Sequence, residues 1–334
     1  MIHIAIDRSQ FPERVRAELL ESLRRREIKH KFHYESYKQA QKWLALHEAY
    51  SPARKDPETT RIYDEGFAHL ASQWRGKSVH VIGLGCGGGQ KDAALLAELA
   101  AHGCQTIYTA VDVSLPLVIT ARERAKGYAS QTRGVVCDLE TAEDIREELC
   151  ECSVSQRVLT FFGMIPNSEP DIIFPRLTGL LNRGDRLLLS ANLAPGADYR
   201  AGVERVLPQY HNALTADWLL TFLYDLAIEP EDGALQFHIE ECVSGLLRIR
   251  GDFQFSRRRS ICLENEVFEF KSGESIRLFY SYRYTPDRVG MELRRFGLSV
   301  ANEWIATSGE EGIFLIQCGE PPSSPGSGQT RKIR

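Results

Sequence analysis

The stretch Val79-His80-Val81-Ile82-Gly83-Leu84-Gly85-Cys86-Gly87-Gly88-Gly89-Gln90-Lys91-Asp92 holds the residues best suited to chemistry. A short apolar run ends in glycines, and a helix-like segment from Ala93 to Leu99 follows directly. Glycines let a backbone approach a ligand closely, and a helix start offers it unpaired N–H groups. That is the grammar of a nucleotide-type cofactor site. Gly83, Gly85 and Gly88 also satisfy G-x-G-x-x-G, which suits a dinucleotide equally. Two carboxylates recur at the ends of later apolar runs, Asp112 before Val113-Ser114 and Asp138 before Leu139. The first can take two ribose hydroxyls. The second, with its apolar neighbour, suits an adenine amino group and ring face. Each acid also has a plain structural use, capping the helix that follows a strand.

The elements that must hold these residues alternate. Strands are expected over Ser78–Ile82, Gln105–Val111, Arg133–Cys137, Arg157–Phe162 and Arg186–Ala191. Helices are expected over Asp92–Ala101, Pro116–Lys126, Glu143–Cys150 and Ile172–Leu181. Such alternation predicts an α/β fold with a parallel sheet covered by helices. Residues 1–77 read as helices, with Phe11–Arg26, Tyr37–His47 and Pro57–Gln73 as the segments. After about residue 200 a long helical region, Tyr199–Ala227, leads into antiparallel strands within 237–284. A helix, Pro286–Phe296, and a hairpin, Val300–Thr307 with Gly312–Gln317, close the fold. The expected organisation is a cofactor-binding core over 78–199 and 285–318, with an inserted α+β substrate lobe over 200–284. Residues 1–77 are assigned to that lobe, and the Pro/Ser/Gly-rich 319–334 to a disordered tail.

The ordered recurrence of Asp112 and Asp138, and the final antiparallel hairpin bearing Trp304, favour S-adenosylmethionine (SAM) over NAD. A terminal hairpin after alternating β/α units is characteristic of class I methyltransferases, so a Rossmann-like methyltransferase sheet is expected.

At this point the residues resemble one family, the histidine-specific methyltransferases of the ergothioneine pathway, which N-methylate the α-amine of a free amino acid. The resemblance spans about Lys31 to Cys318. Its glycine loop and lysine are matched by Gly83, Gly85 and Lys91, and its P-V-D-V-S by Ala110–Ser114. Its L-G-S-T-I-G-N-L is similar to Phe162-Gly163-Met164-Ile165-Pro166-Asn167-Ser168, one residue shorter, and its P-G-D-x-L-L-L to Arg183–Leu189. Its A-Y-D-D resembles Gln209-Tyr210-His211-Asn212, and its Y-Y-P-T-R resembles Ala49-Tyr50-Ser51-Pro52-Ala53-Arg54. The resemblance implies that Gly83, Gly85, Gly87, Lys91, Asp112, Val113, Asp138 and Leu139 hold SAM. It implies that Asn167 and Tyr210 hold the substrate's amino and carboxylate groups as the catalytic pair, with Tyr50 lining the same pocket.

The family's side-chain reader, E-x-I-R-x-E-x-S-x-K, reads here Glu274-Ser275-Ile276-Arg277-Leu278-Phe279-Tyr280-Ser281-Tyr282-Arg283. Ser281 is kept, but Phe279 stands where a carboxylate should grip the imidazole. Losing that charge-assisted hydrogen bond costs about 1.5–3 kcal/mol. A family methionine nearby falls around Gly251. Both changes favour a larger or flatter side chain, with Phe279 and Ser281 still lining the substrate pocket, and the plain alternative is that Phe279 is core. The expected activity is therefore SAM-dependent methylation of a free amino acid or close derivative, on its amine. The side chain is read as other than histidine's, and as aromatic. Histidine N-α-methylation, an NAD-dependent oxidoreductase and a non-catalytic SAM-binding protein remain as alternatives.

Composition narrows the rest. A net charge of −4 gives no bulk attraction for nucleic acid, and Arg257-Arg258-Arg259 reads as a solvated strand edge. The eight cysteines contain no C-x-x-C pair, the nine histidines no ligand cluster, and no metal is expected. No apolar run reaches the length of a membrane span, and MIHIAIDRSQ lacks a signal pattern. A cytoplasmic protein with a small-molecule substrate is expected, with neither nucleic acid nor membrane as partner. The oligomeric state is left open.

Overall fold

A computed structural model describes residues 3–51, 56–149, 154 and 156–318. Cys150, Cys152, the Pro52–Arg54 part of the family match and the 319–334 tail lie outside the described residues. The chain opens with a short strand, β1 (Ile4–Ile6), then helices α1 (Pro12–Arg25), α2 (Tyr37–Tyr50) and α3 (Pro57–Gln73). Local chemistry sets these helix starts. Pro12 and Pro57 occupy first turns, and Ser36 with Gln39 forms a capping box on α2.

The alternating section follows as β2 (Ser78–Leu84), α4 (Gln90–Ala101), β3 (Gln105–Asp112), α5 (Leu115–Ala125) and β4 (Gln131–Val136). It continues as α6 (Ile145–Leu149), β5 (Gln156–Phe161), α7 (Pro170–Leu180) and β6 (Arg186–Asn192). The expected single helical region over 199–227 is instead two helices, α8 (Tyr199–Val206) and α9 (Ala213–Tyr224). A 3-10 turn at Leu207–Tyr210 and an Asn212 cap, accepting from Thr215 N at 2.8 Å, separate them. Pro208 within that turn lacks the N–H that a continuous helix needs. Strands β7 (Gly233–Glu241), β8 (Leu247–Phe255), β9 (Arg259–Leu263), β10 (Glu266–Phe270) and β11 (Ser275–Arg283) come next. Helix α10 (Pro286–Arg295) and the hairpin β12 (Leu298–Ile305) with β13 (Glu311–Cys318) close the fold.

The main sheet has the order β1-β4-β3-β2-β5-β6-β13-β12. β1 to β6 pair in parallel, and β13 pairs antiparallel with both β6 and β12. The fold is thus α/β, a Rossmann-like sheet ending in an antiparallel hairpin. Reading residues 1–77 as helices leaves out β1, which pairs Ile4–Ile6 with Gly134–Val136 at the sheet edge. Three residues are too few for a period-2 pattern to register.

Chain order reverses between β2 and β5. In such sheets ligands bind outside the carboxyl ends of the strands at that crevice. A separate three-stranded sheet, β11-β8-β7, and the β9–β10 hairpin form the second part. Phe32, Trp218, Phe222, Phe253, Phe255, Phe270 and Ile276 share one core there, so residues before α2 pack with α9 and these strands. β11 lies between two cores. Leu278 and Phe279 face the aromatic core of this second part, while Tyr280, Tyr282 and Tyr284 pack into the core of the main sheet.

Candidate active site: a cofactor cradle and its acceptor chamber

A cavity of about 630 Å³ opens at the switch point. Its floor is the loop between β2 and α4. Gly85 and Gly87 adopt φ of +62° and +52°, a left-handed conformation that side chains other than glycine's adopt at a cost. A Cβ on Gly87 would lie 2.7 Å from the Trp43 ring, and one on Gly85 would lie 2.6 Å from Met164 Sδ. The loop is therefore closely roofed by α2 and by the segment after β5. Gly83 lies one step below and does not line the cavity. Its missing side chain leaves room for Asp92, whose carboxylate accepts from Tyr108 and Thr160 hydroxyls, each at 2.6 Å.

Asp112 closes β3 against this loop. One carboxylate oxygen accepts from Gly87 N at 2.9 Å and the other from Ser114 N at 3.0 Å. Burial pushes its carboxyl up to about 6, opposed by those backbone donors. The fixed carboxylate still has lone pairs to offer toward the cavity, as ribose hydroxyls require. Val113, Asp138 and Leu139 line the same cavity. Asp138 is held by Glu140 N at 3.0 Å and lies 3.4 Å from Lys31 Nζ, while its own N–H donates to Ser9 Oγ at 2.9 Å. Lys91 also lines the cavity, with its ammonium hydrogen-bonded to Tyr63, 3.3 Å from Glu311 and over the Tyr63 ring.

Asn167 sits on a 3-10 turn, Ile165–Asn167, just past β5. Its amide nitrogen donates one N–H to the Tyr280 carbonyl at 2.7 Å, which fixes the amide plane and leaves Oδ1 and the second N–H to offer a ligand. It lines the cavity that the glycine loop lines.

The other expected substrate residues lie elsewhere. Tyr50 is 54% exposed at the end of α2 and is not among the lining residues, although Ser51 is. Tyr210 is outside the cavity, its hydroxyl accepting from Arg283 at 2.7 Å. Phe279 is buried among Tyr210, Trp218 and His30, with ring centroids 5.3–6.0 Å away. Ser281 is buried two residues further on and likewise does not line the cavity. Gly251 pairs opposite Phe279, and its missing side chain makes room for Phe237. Phe279 thus has the core role that its residue type suggests.

The lining contains residues that sequence reasoning did not single out. Tyr34 and Trp43 stand edge to face, 5.8 Å between centroids, beside the loop. Burial, then the Asp112 charge, pushes the Tyr34 phenol up. From β11 come Arg277 and Tyr280, and from other segments His30, Glu140 and Glu169. A β-bulge between Arg277 and Phe279 breaks strict alternation and sets this pair three residues apart. No residue type in the strand marks that bulge. Glu140, two positions beyond Asp138, was the one legible by proximity.

Sheet order, glycine cradle and the acid at the end of β3 together define a SAM-dependent methyltransferase. The sequence model of one family, described as histidine-specific methyltransferase, SAM-dependent, matches residues 15–318, and the chain belongs to that family. Its cofactor is S-adenosylmethionine. No curated protein sequence matches the chain.

Among solved structures, the chain is similar to the CcbJ methyltransferase from Streptomyces caelestis, with 11% identity and a TM-score of 0.42, covering 87% of this chain and 99% of that one. It is similar at 12% identity and TM-score 0.42 to the Burkholderia thailandensis 1,6-didemethyltoxoflavin-N1-methyltransferase, covering 85% and 89%. The SAM-bound amino pentose methyltransferase CalS10 from Micromonospora echinaspora shares 14% identity at TM-score 0.39, covering 82% and 96%. No helix among the described residues is long and apolar enough to cross a membrane.

Proposed function

We propose that this chain methylates the amine of a free amino acid or close derivative whose side chain is a flat ring other than imidazole. The observation that carries the reading is the orientation of Asn167. One amide N–H is held by the Tyr280 carbonyl, which orients the side chain so that Oδ1 can accept an acceptor N–H in the cavity that also holds the cofactor cradle. Accepting that N–H turns the neutral amine's lone pair toward the methyl and stabilises the positive charge that develops on nitrogen as it attacks. SAM supplies an activated methyl on a sulfonium, so alignment and water exclusion are what the chain must add. Gly85, Gly87, Lys91, Asp112, Val113, Asp138 and Leu139 hold the cofactor in this reading, with Gly83 shaping the loop from beneath. Tyr34, Trp43 and His30 give the cavity flat walls that suit a ring. The carboxylate that the family's reader carries is missing at Phe279, which packs in the core and does not line the cavity, so nothing at that position grips an imidazole.

The test is thermal stability with S-adenosylhomocysteine plus each free amino acid and its aromatic derivatives. A ligand that binds only the folded state raises the melting temperature. The expected result is a further rise with an aromatic amino acid. A rise with histidine alone would reverse the side-chain reading, and no rise beyond that of S-adenosylhomocysteine would remove amino acids as acceptors.

A further inference from the structure

We propose that Glu140 and Tyr280 form a distal acceptor subsite that takes a ring carrying its own hydrogen-bond donor, an indole N–H or a phenolic O–H. The proposal rests on the amino-acid N-methyltransferase reading above and names the part of the acceptor that reading left open.

The two residues come from different parts of the fold, Glu140 from beyond the end of β4 and Tyr280 from β11, and both line the cavity. Neither the Glu140 carboxylate nor the Tyr280 hydroxyl has a hydrogen-bond or ion-pair partner among the described residues. Tyr280 is nevertheless tightly placed. The guanidiniums of Arg248 and Arg277 lie over its ring, 4.8 and 5.3 Å from the centroid, and the His30 ring meets it edge-on at 4.5 Å. Its backbone N–H donates to His30 Nε2 at 3.4 Å. With those contacts made, the hydroxyl is the part of the side chain left for a ligand.

The neighbouring carboxylates are already committed. Glu169 accepts from Arg248 at 2.9 Å and from Tyr282 at 2.7 Å, and Glu27 accepts from Arg277 at 2.9 Å. Glu140, by contrast, lines the cavity with a carboxylate that holds no hydrogen-bond or ion-pair partner among the described residues and can accept from a ligand.

Charge fits the same role. Burial pushes the Glu140 carboxyl up to about 7, and the charges of Asp138, Glu169 and Glu18 add to this while Lys29 opposes it. Burial, Glu169 and Glu140 keep the Tyr280 phenol protonated, with Arg277 and Arg248 opposing. A donor ring satisfies the Glu140 carboxylate, and Tyr280 can then donate to a phenolic oxygen or share an indole N–H as a second acceptor, since the indole nitrogen only donates. An aliphatic or plain phenyl side chain leaves both unpaired, which a site built on hydrogen bonds penalises.

The test compares tryptophan, tyrosine, phenylalanine and leucine as acceptors for the full chain and for Glu140→Gln and Tyr280→Phe. S-adenosylhomocysteine affinity is measured alongside by calorimetry. The wild type is expected to favour tryptophan or tyrosine over phenylalanine. Glu140→Gln is expected to raise KM for the favoured acceptor about ten- to a hundredfold, with S-adenosylhomocysteine affinity unchanged. The wild-type advantage over Glu140→Gln should also shrink as pH falls through about 7. Equal use of phenylalanine, an unchanged KM, or a parallel loss of S-adenosylhomocysteine affinity (which would place these residues against the cofactor) would each overturn the subsite. In those cases amine methylation itself survives. No transfer to any amino acid overturns both.

Discussion

In the proposed reading Asn167 orients the acceptor and Asp112 holds the cofactor, and at the scale of single residues the two make separable demands. Asn167→Ala removes the acceptor oxygen, so kcat should fall about 10²- to 10³-fold, while S-adenosylhomocysteine affinity, read by calorimetry, should not move. A matched fall in affinity would mean that Asn167 belongs to the cofactor site. Asp112 titrates where binding can report it. Its carboxyl stands near 6, and only the ionised form can accept from the backbone donors and from ribose hydroxyls together. The affinity for S-adenosylhomocysteine should therefore hold steady above pH 7 and weaken as pH drops below about 6, by up to about tenfold per pH unit. Asp112→Asn should flatten that profile.

Asp112 was legible because it ends β3 in the alternating section, where position gives direction, whereas Asn167, on the turn beyond β5, was legible through the family resemblance. Phe279 was legible as a residue type and not as a place. Its sequence slot pointed to the acceptor, yet its ring lies in the core with Trp218 and Tyr210.

The glycine loop and α2 act together at the scale of elements. Trp43 packs where a Gly87 Cβ would go, so Gly87→Ala combines left-handed strain with a clash. S-adenosylhomocysteine affinity should drop by roughly tenfold or more, and Trp43→Ala in the same chain should restore part of it. Failure of the second change to restore any affinity would assign the loss to backbone strain alone. The strand–loop–helix pattern made the loop readable from sequence, whereas the packing of α2 over it was not. Nothing in the Tyr37–Tyr50 pattern says which neighbour its aromatic residues meet. β11 teaches the same lesson. Its apolar content marks a strand, but the bulge between Arg277 and Phe279 decides which side chains reach the cavity, and it depends on pairing with β8.

At the scale of the whole molecule the cavity draws its lining from both parts of the fold. Tyr34, Trp43, Arg277 and Tyr280 face the loop and strand ends of the main sheet. Ligand binding should therefore stabilise the chain as a unit, by about 2.7 kcal/mol at a hundredfold excess over Kd. The unfolding transition should remain single, and two transitions with only one shifted would contradict this.

The parallel sheet and its closing hairpin were readable because buried parallel strands are continuous apolar runs. β1 was not, since three residues carry no period and its position comes from Ile4–Ile6 pairing with β4. That small strand has a long reach. It brings Ser9 to the Asp138 N–H, so Ser9→Ala should cost about 1 kcal/mol in stability and weaken S-adenosylhomocysteine binding. An unchanged melting temperature would show that the contact is idle.

The most direct measurement of the central claim is mass spectrometry of free amino acids incubated with the protein and SAM carrying an isotopically labelled methyl group. The expected result is label on the amine nitrogen of an aromatic amino acid, abolished by Asn167→Ala. Label on carbon or oxygen, or S-adenosylhomocysteine formed with no amino acid labelled, would contradict it.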